Sequence, residues 1–201
     1  MLEYELTQEG SEIIREDICG RLQNGQVGIL PTDTVYGLVC ISDNDGARDR
    51  IYDLKQREHG KPMQNLLADL QQCEQLDIEI GPALRRLAAA FWPGPLTVVL
   101  KNRQGAFQGI RIPKNEFVRQ VINAVGKPLA ATSANRSGED PHASAAAGFA
   151  NLAGDPDFVV IHEAGGCPSS TVVELEDDGS INMLRVGTIT EDAIKQVLAD
   201  D

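Results

Sequence analysis

Glu116-Phe117-Val118-Arg119-Gln120-Val121-Ile122-Asn123-Ala124-Val125-Gly126-Lys127-Pro128-Leu129-Ala130-Ala131-Thr132-Ser133-Ala134-Asn135 contains a helix, a stop and a strand in direct succession. Val118, Val121, Ile122 and Val125 follow the helical period, so the spacing predicts a helix over 116–125, closed by Gly126. Residues 128–132 then read as a strand that runs straight into a polar loop starting at Ser133. A helix returning into a strand that ends in such a loop is the working unit of an α/β domain, where ligands bind outside the carboxyl ends of the strands.

The same alternation extends in both directions. A helix is expected over 7–24, where Ile14, Ile18 and Leu22 recur every four positions before Gly25. Strands follow at 27–30 and 37–41. Asp43 or Asn44 should cap a helix over 45–54, and 66–68 reads as a further strand. Pro82 suits the first turn of a helix over 82–91, which Trp92-Pro93-Gly94-Pro95 ends. Strands are expected at 96–100, 109–112, 158–161, 171–175 and 181–186. Asp177-Asp178-Gly179-Ser180 forms the turn between the last two, and Thr190 caps a closing helix to about residue 198. The late hairpin and the short middle strands point to a mixed, twisted open sheet with flanking helices. No internal repeat or linker is evident, Ala145-Ala146-Ala147 being too short for one.

The chain has 201 residues, which favours one domain over 1–201, and 42% of them are apolar, enough for a sizeable core. The net charge of -12 disfavours tight nonspecific binding to nucleic acid and leaves at most weak or indirect RNA contact. Cys19, Cys40, Cys73 and Cys167 lie far apart and read as buried thiols of a reducing compartment. His59, His142 and His162 lack metal-ligand spacing, so no metal site is expected. The acidic start Met1-Leu2-Glu3-Tyr4-Glu5 is unlike a signal peptide, and no apolar run spans a membrane; a cytoplasmic location is expected.

Three segments carry candidate chemistry. Pro31-Thr32-Asp33-Thr34-Val35-Tyr36-Gly37 presents hydroxyls and a carboxylate at a strand end, although an ordinary turn has the same composition. Lys55, Arg57 and Lys61 follow a helix. They either complement its C-terminus or hold phosphate, which Arg grips with two donors. With only 18 basic residues against 30 acidic, such a cluster stands out. Ser133-Ala134-Asn135-Arg136-Ser137-Gly138 offers donors in a loop after a strand, or an Asx-type turn. Gly-x-Ser-x-Gly, the Gly-x-x-x-x-Gly-Lys-Ser/Thr loop and Gly-x-Gly-x-x-Gly are all absent. A nucleotide would therefore be held by dispersed side chains, in a pocket suited to a polyphosphate and a small polar molecule together.

Seven motifs in order resemble the YrdC family of L-threonylcarbamoyladenylate synthases: Pro31 to Gly37, Lys55-Gln56-Arg57, Trp92-Pro93-Gly94-Pro95-Leu96-Thr97, Arg111-Ile112-Pro113, Ser133 to Gly138, Ser170-Thr171-Val172-Val173 and Arg185-Val186-Gly187. The resemblance implies the twisted open α/β sheet of that family with a concave basic pocket. It also implies conversion of ATP, L-threonine and bicarbonate to threonylcarbamoyl-AMP and pyrophosphate, with Mg²⁺ arriving on ATP rather than in a protein cage. A tRNA-modifying transferase complex would receive the product.

On the same footing, Lys55, Arg57, Ser133 and Asn135 are the catalytic candidates. Arg57, Lys61, Asn135 and Arg185 are assigned to ATP, and Thr34, Arg111, Ser133 and Ser170 to threonine. Many relatives carry Asn-Pro-Leu and then a His where this chain has Lys61-Pro62-Met63 and Leu66-Leu67, so Gln64 or Asn65 would have to replace one threonine contact. The expected form is the single-domain one. Two alternatives share the fold: a YciO-like paralogue of altered activity, and an RNA-binding or ribosome-maturation factor.

Overall fold

The computed structural model describes residues 1–7, 10–138, 152–162 and 168–199. The expectations for Cys167, His142 and Ala145-Ala146-Ala147 lie outside them. In chain order the elements are β1 (Leu2–Glu5), α1 (Ser11–Gln23), β2 (Gly28–Leu30), β3 (Gly37–Ile41), α2 (Asp45–Lys55), β4 (Gln64–Leu66), a 3₁₀ helix (Leu70–Leu76), α3 (Pro82–Phe91), β5 (Leu96–Lys101), β6 (Phe107–Arg111), α4 (Glu116–Val125), β7 (Leu129–Ser133), β8 (Phe158–Ile161), β9 (Thr171–Leu175), β10 (Ile181–Arg185) and α5 (Glu191–Ala199). None of these helices is long and apolar enough to cross a membrane.

The strands form one mixed sheet in the order β1-β8-β2-β3-β7-β4-β6-β5-β9-β10. β1 and β2 run parallel to β8, β4 to β6 and β5 to β9, and the remaining neighbours are antiparallel.

The pleat sends alternate residues to opposite faces. In the half built from β8, β2, β3 and β7, Leu30, Val39, Leu129, Ala131 and Phe158 pack under α1 and α4. Ile29, Leu38, Cys40, Ala130 and Val159 pack on the other face with Ala47 and Ile51 of α2. In the other half, Leu96, Val98, Ile110 and Val173 meet Leu84 and Leu87 of α3 and Ile194 of α5. The intervening residues Thr97, Val99, Gly109, Arg111 and Val172 point away from these helices and line a cavity. The site thus lies on the α1/α4 face, beyond the cover those two helices provide.

Candidate active site

The cavity has a volume of about 360 Å³. Register aligns its floor: Ala131 lies opposite Gln64, Gln64 opposite Gly109, and Gly109 opposite Val99. Ser133 and Gly37, paired at the ends of their strands, stand at one side. Arg57, Arg111 and Arg185 line it, and among its described lining residues there is no acid.

Arg111, at the end of β6, is 2% exposed. Its Nε donates to the Gly94 carbonyl at 3.0 Å, Nη1 to Thr34 Oγ1 at 3.0 Å, and Nη2 to Asp33 Oδ1 at 2.7 Å. One N–H remains on each terminal nitrogen, in the fork geometry that suits a carboxylate. Thr32 gives its hydroxyl proton to the Val35 carbonyl, 2.6 Å away. The Thr32–Thr34 contact of 3.1 Å therefore uses the proton of Thr34, which leaves Thr34 Oγ1 an acceptor towards Arg111. Asp33, read in the sequence as a group presented to ligand, is the counter-ion of Arg111.

On the opposite wall the hydroxyls form a directed chain. Thr97 Oγ1 donates to Gln64 Oε1 at 2.8 Å. Its 3.0 Å contact with Ser170 must then use the Ser170 proton, and Ser170 Oγ in turn accepts from Arg185 Nη2 at 3.0 Å. Arg185 Nε also donates to the Ser170 carbonyl. Arg185 reaches this position because the register of β10 shifts between Met183 and Arg185, a bulge that re-aims the strand. Burial lowers the pKa of both Arg185 and Arg111, and the charge of Arg111 lowers that of Arg185 further. The two cations repel each other across the cavity.

Gly187 accounts for the third position of Arg185-Val186-Gly187. A β-carbon there would stand 2.4 Å from the Ser169 carbonyl oxygen and 2.5 Å from the Thr171 nitrogen. Only a residue without one lets the chain after β10 lie against the backbone carrying Ser170. Gly187→Ala should lower stability by about 1–3 kcal/mol through overpacking. It should also lower kcat/KM, because Ser170 and Arg185 part. Urea melts and steady-state kinetics check both effects.

Lys55 ends α2 and is 1% exposed. Its Nζ donates to the Ser133 carbonyl and, at 2.5 Å, to the Asn135 carbonyl. The Ser137 amide donates back to the Lys55 carbonyl at 3.1 Å. The helix end therefore clamps the loop of residues 133–138 from behind. Burial, with help from the Arg57 charge, pushes the Lys55 pKa down to about 8. Arg57 lies just past left-handed Gln56, lines the cavity, and donates from Nη2 to the Pro62 carbonyl at 2.9 Å. Its enclosed Nε has no hydrogen-bond partner.

Of the sequence candidates, Thr34, Arg57, Arg111, Ser133, Ser170 and Arg185 line one cavity. Three stand elsewhere. Lys55 does not line it, because its ammonium is enclosed by backbone carbonyls behind the wall. Asn135 is buried behind the wall too, its side-chain amide donating to the Arg136 carbonyl at 3.0 Å. Lys61 points to solvent, 3.4 Å from Glu58. Thr97 was not singled out in the sequence, although its place between the core residues Leu96 and Val98 signals the opposite face. Gln64 lines the cavity, whereas Asn65 faces the other way.

This arrangement, a ten-stranded mixed sheet with a cation-lined hollow on one uncovered face, has close counterparts among known structures. Residues 21–187 match the family model named Sua5/YciO/YrdC and described as telomere recombination, and the chain belongs to that family. It is similar to Pyrococcus abyssi Sua5 in a crystal structure complexed with L-threonine, with a TM-score of 0.87 and 29% identity over 98% of this chain and 60% of that one. Escherichia coli YciO shares the fold at a TM-score of 0.80 and 21% identity, with 96% of this chain and 98% of that one covered.

Among curated relatives, the Bacillus subtilis threonylcarbamoyl-AMP synthase is 32% identical over 88% of this chain. A Methanocaldococcus jannaschii protein given that name provisionally is 30% identical over 92%. The chain spans 91% of the Methanocaldococcus relative but only 54% of the Bacillus one.

Proposed function

We propose that this chain is a threonylcarbamoyl-AMP synthase, converting ATP, L-threonine and bicarbonate to threonylcarbamoyl-AMP and pyrophosphate, and that residues 1–201 act as one folded domain. The observation that carries the reading is a cavity lined by three arginines and, among the described residues, by no acid, in a chain with 30 acidic residues and 18 basic ones. Such a hollow is built for anions. The relatives' names and the threonine-bound Pyrococcus structure support the choice of substrates.

In the proposed chemistry the threonine amino group forms a bond to the bicarbonate carbon as a C–OH bond breaks, and the hydroxyl leaves as water with a proton from the amine. The carbamate oxygen then forms a bond to the α-phosphorus as the bond to the β-phosphate bridging oxygen breaks, and pyrophosphate leaves. This is nucleotidyl transfer, in which two anions must approach each other. One cation about 4 Å from a phosphate oxygen contributes roughly 4 kcal/mol at an effective dielectric of about 20. Several fixed cations therefore offset the repulsion without covalent catalysis.

Arg57 and Arg185 are assigned to the phosphates. The two remaining N–H groups of Arg111 go to the threonine carboxylate, with Thr34, Ser133 and Ser170 around it. Lys55 and Asn135 act through the loop that carries Ser133, and Lys61 is left at the rim. Mg²⁺ is assigned to the nucleotide, whose phosphates carry it into the site. The labile product passes to a tRNA-modifying transferase in the same cytoplasmic compartment.

Radiolabelled bicarbonate should appear in a mixed anhydride only when threonine and ATP are both present. Absence of label, with the protein folded, overturns the assignment and favours an altered YciO-like activity. Arg57→Ala should cut threonine-dependent pyrophosphate release about 100-fold or more, in line with loss of a fixed charge at the reacting phosphates. Its melting temperature should stay near wild type, since the side chain makes one protein hydrogen bond.

A further inference from the structure

Asn65 and Gln108 alternate with the floor residues Gln64 and Gly109 and point through the sheet to its other face. There a second cavity, about 510 Å³ in volume, opens between α2, the 3₁₀ helix and the start of β6. Its floor is an ordered amide network. Ser42 Oγ donates to Asn65 Oδ1, and Asn65 Nδ2 donates to Gln108 Oε1 at 3.1 Å. That fixes the Gln108 amide with its oxygen engaged and leaves its NH₂ group for an acceptor in the cavity.

The charges around the cavity are nearly all matched. Lys127 holds Asp43 at 2.6 Å, and Asp77 takes Arg103 at 3.5 Å and Gln104 at 3.2 Å. Arg48 is the exception. Its ion-pair partner Asp45 is 4.0 Å away, and its enclosed Nε has no hydrogen-bond partner. Arg57 bears the same mark in the first cavity; Arg86 bears it too but lines neither. A donor so enclosed is out of a ligand's reach, but the Arg48 side chain as a whole is 39% exposed and lines the cavity, so a ligand oxygen meets the terminal nitrogens of the guanidinium. A guanidinium also offers the planar fork that carboxylates and phosphates match.

We propose that this second cavity binds a small oxyanion-bearing metabolite, a phosphate ester or a carboxylate, with Arg48 as its anchor and the Gln108 amide as second donor. Pro62, Met63 and Phe107 line both cavities, so an occupant touches the wall of the candidate active site. The proposal stands whether or not the reading of the first cavity does.

The test follows the Arg48 Nε–Hε resonance of the full chain by ¹⁵N NMR during titration with inorganic phosphate and, in a second arm, with succinate. Sodium chloride at matched ionic strength is the control. A saturable shift with at least one oxyanion, absent with chloride and retained in Arg57→Ala, is expected, and the responding arm identifies phosphate or carboxylate. Arg48→Lys should abolish the accompanying shifts of the Met63 and Phe107 amides. It should leave threonine-dependent pyrophosphate release unchanged when no oxyanion is added. If Arg48→Lys fails to fold, Gln108→Ala should weaken saturation at Arg48 severalfold. A non-saturating response, a response equal to that in chloride, no response at Arg48, or Gln108→Ala binding like wild type overturns the proposal.

Discussion

Arg111→Met should destabilise the protein by about 3–5 kcal/mol, the range found when one member of a buried ion pair is removed. The loss arises because Asp33, whose side chain is 14% exposed, keeps its charge and loses its guanidinium, while Thr34 and the Gly94 carbonyl lose donors. In Arg111→Met/Asp33→Asn the unpaired charge is gone, and denaturant melts should show most of the stability restored. Pyrophosphate release should remain lost in the double variant, because the fork proposed for the threonine carboxylate is still missing. Recovery of activity together with stability would reduce Arg111 to a structural residue.

Lys55→Met should lower kcat/KM about 100-fold, the scale expected when catalytic groups shift by about 1 Å. The carbonyls of Ser133 and Asn135 lose their donor and the loop relaxes. The pH dependence of stability separates this lysine from a surface one. Its pKa is about 8 in the fold against 10.5 for an ordinary lysine, so between those values the unfolded chain binds more protons than the folded one. Stability contributed through Lys55 must therefore rise as pH climbs from about 8 towards 10.5 and be flat below about 8. The full gap is worth about 3 kcal/mol. The neutral amine keeps two hydrogens for the two carbonyls, so the clamp survives deprotonation. Urea midpoints of wild type relative to Lys55→Met, measured across that window, should climb; a flat difference would place the ammonium in solvent.

Elements punctuated at both ends were legible in the sequence. The helices at Pro82–Phe91 and Glu116–Val125 fall where read, one opened by Pro82 and the other closed by left-handed Gly126. Elements that bury little or face the cavity were not. β1 was missed because Leu2–Glu5 is mostly exposed and joins the sheet through backbone pairing to β8. β4 was read at 66–68 from its apolar run, but the ladder takes Gln64–Leu66, whose first side chain serves the cavity. β6 likewise starts at Phe107, two residues before the expected strand. The 3₁₀ helix Leu70–Leu76, capped by Asp69, carried no periodic signal that was read.

Within the site, six of the nine candidates that the resemblance of the ordered motifs implies line one cavity. Charge alone could not show that Lys55 would turn inward to carbonyls while Lys61 stayed in solvent, since both read as cations beside a helix end. Nor could it show that Asp33 would be consumed by Arg111, because the pair is 78 positions apart in the chain.

The pleat that splits β5, β6 and β9 into a helix-packed side and a cavity side has an evolutionary consequence. Thr97, Val99 and Val172 can each be exchanged without disturbing Leu96, Val98 and Val173 beneath α3 and α5. Selection can therefore reshape what the hollow accepts one strand position at a time, drawing on variation that the hydrophobic interior does not veto. Relatives of this architecture are free to diverge in chemistry far sooner than in shape.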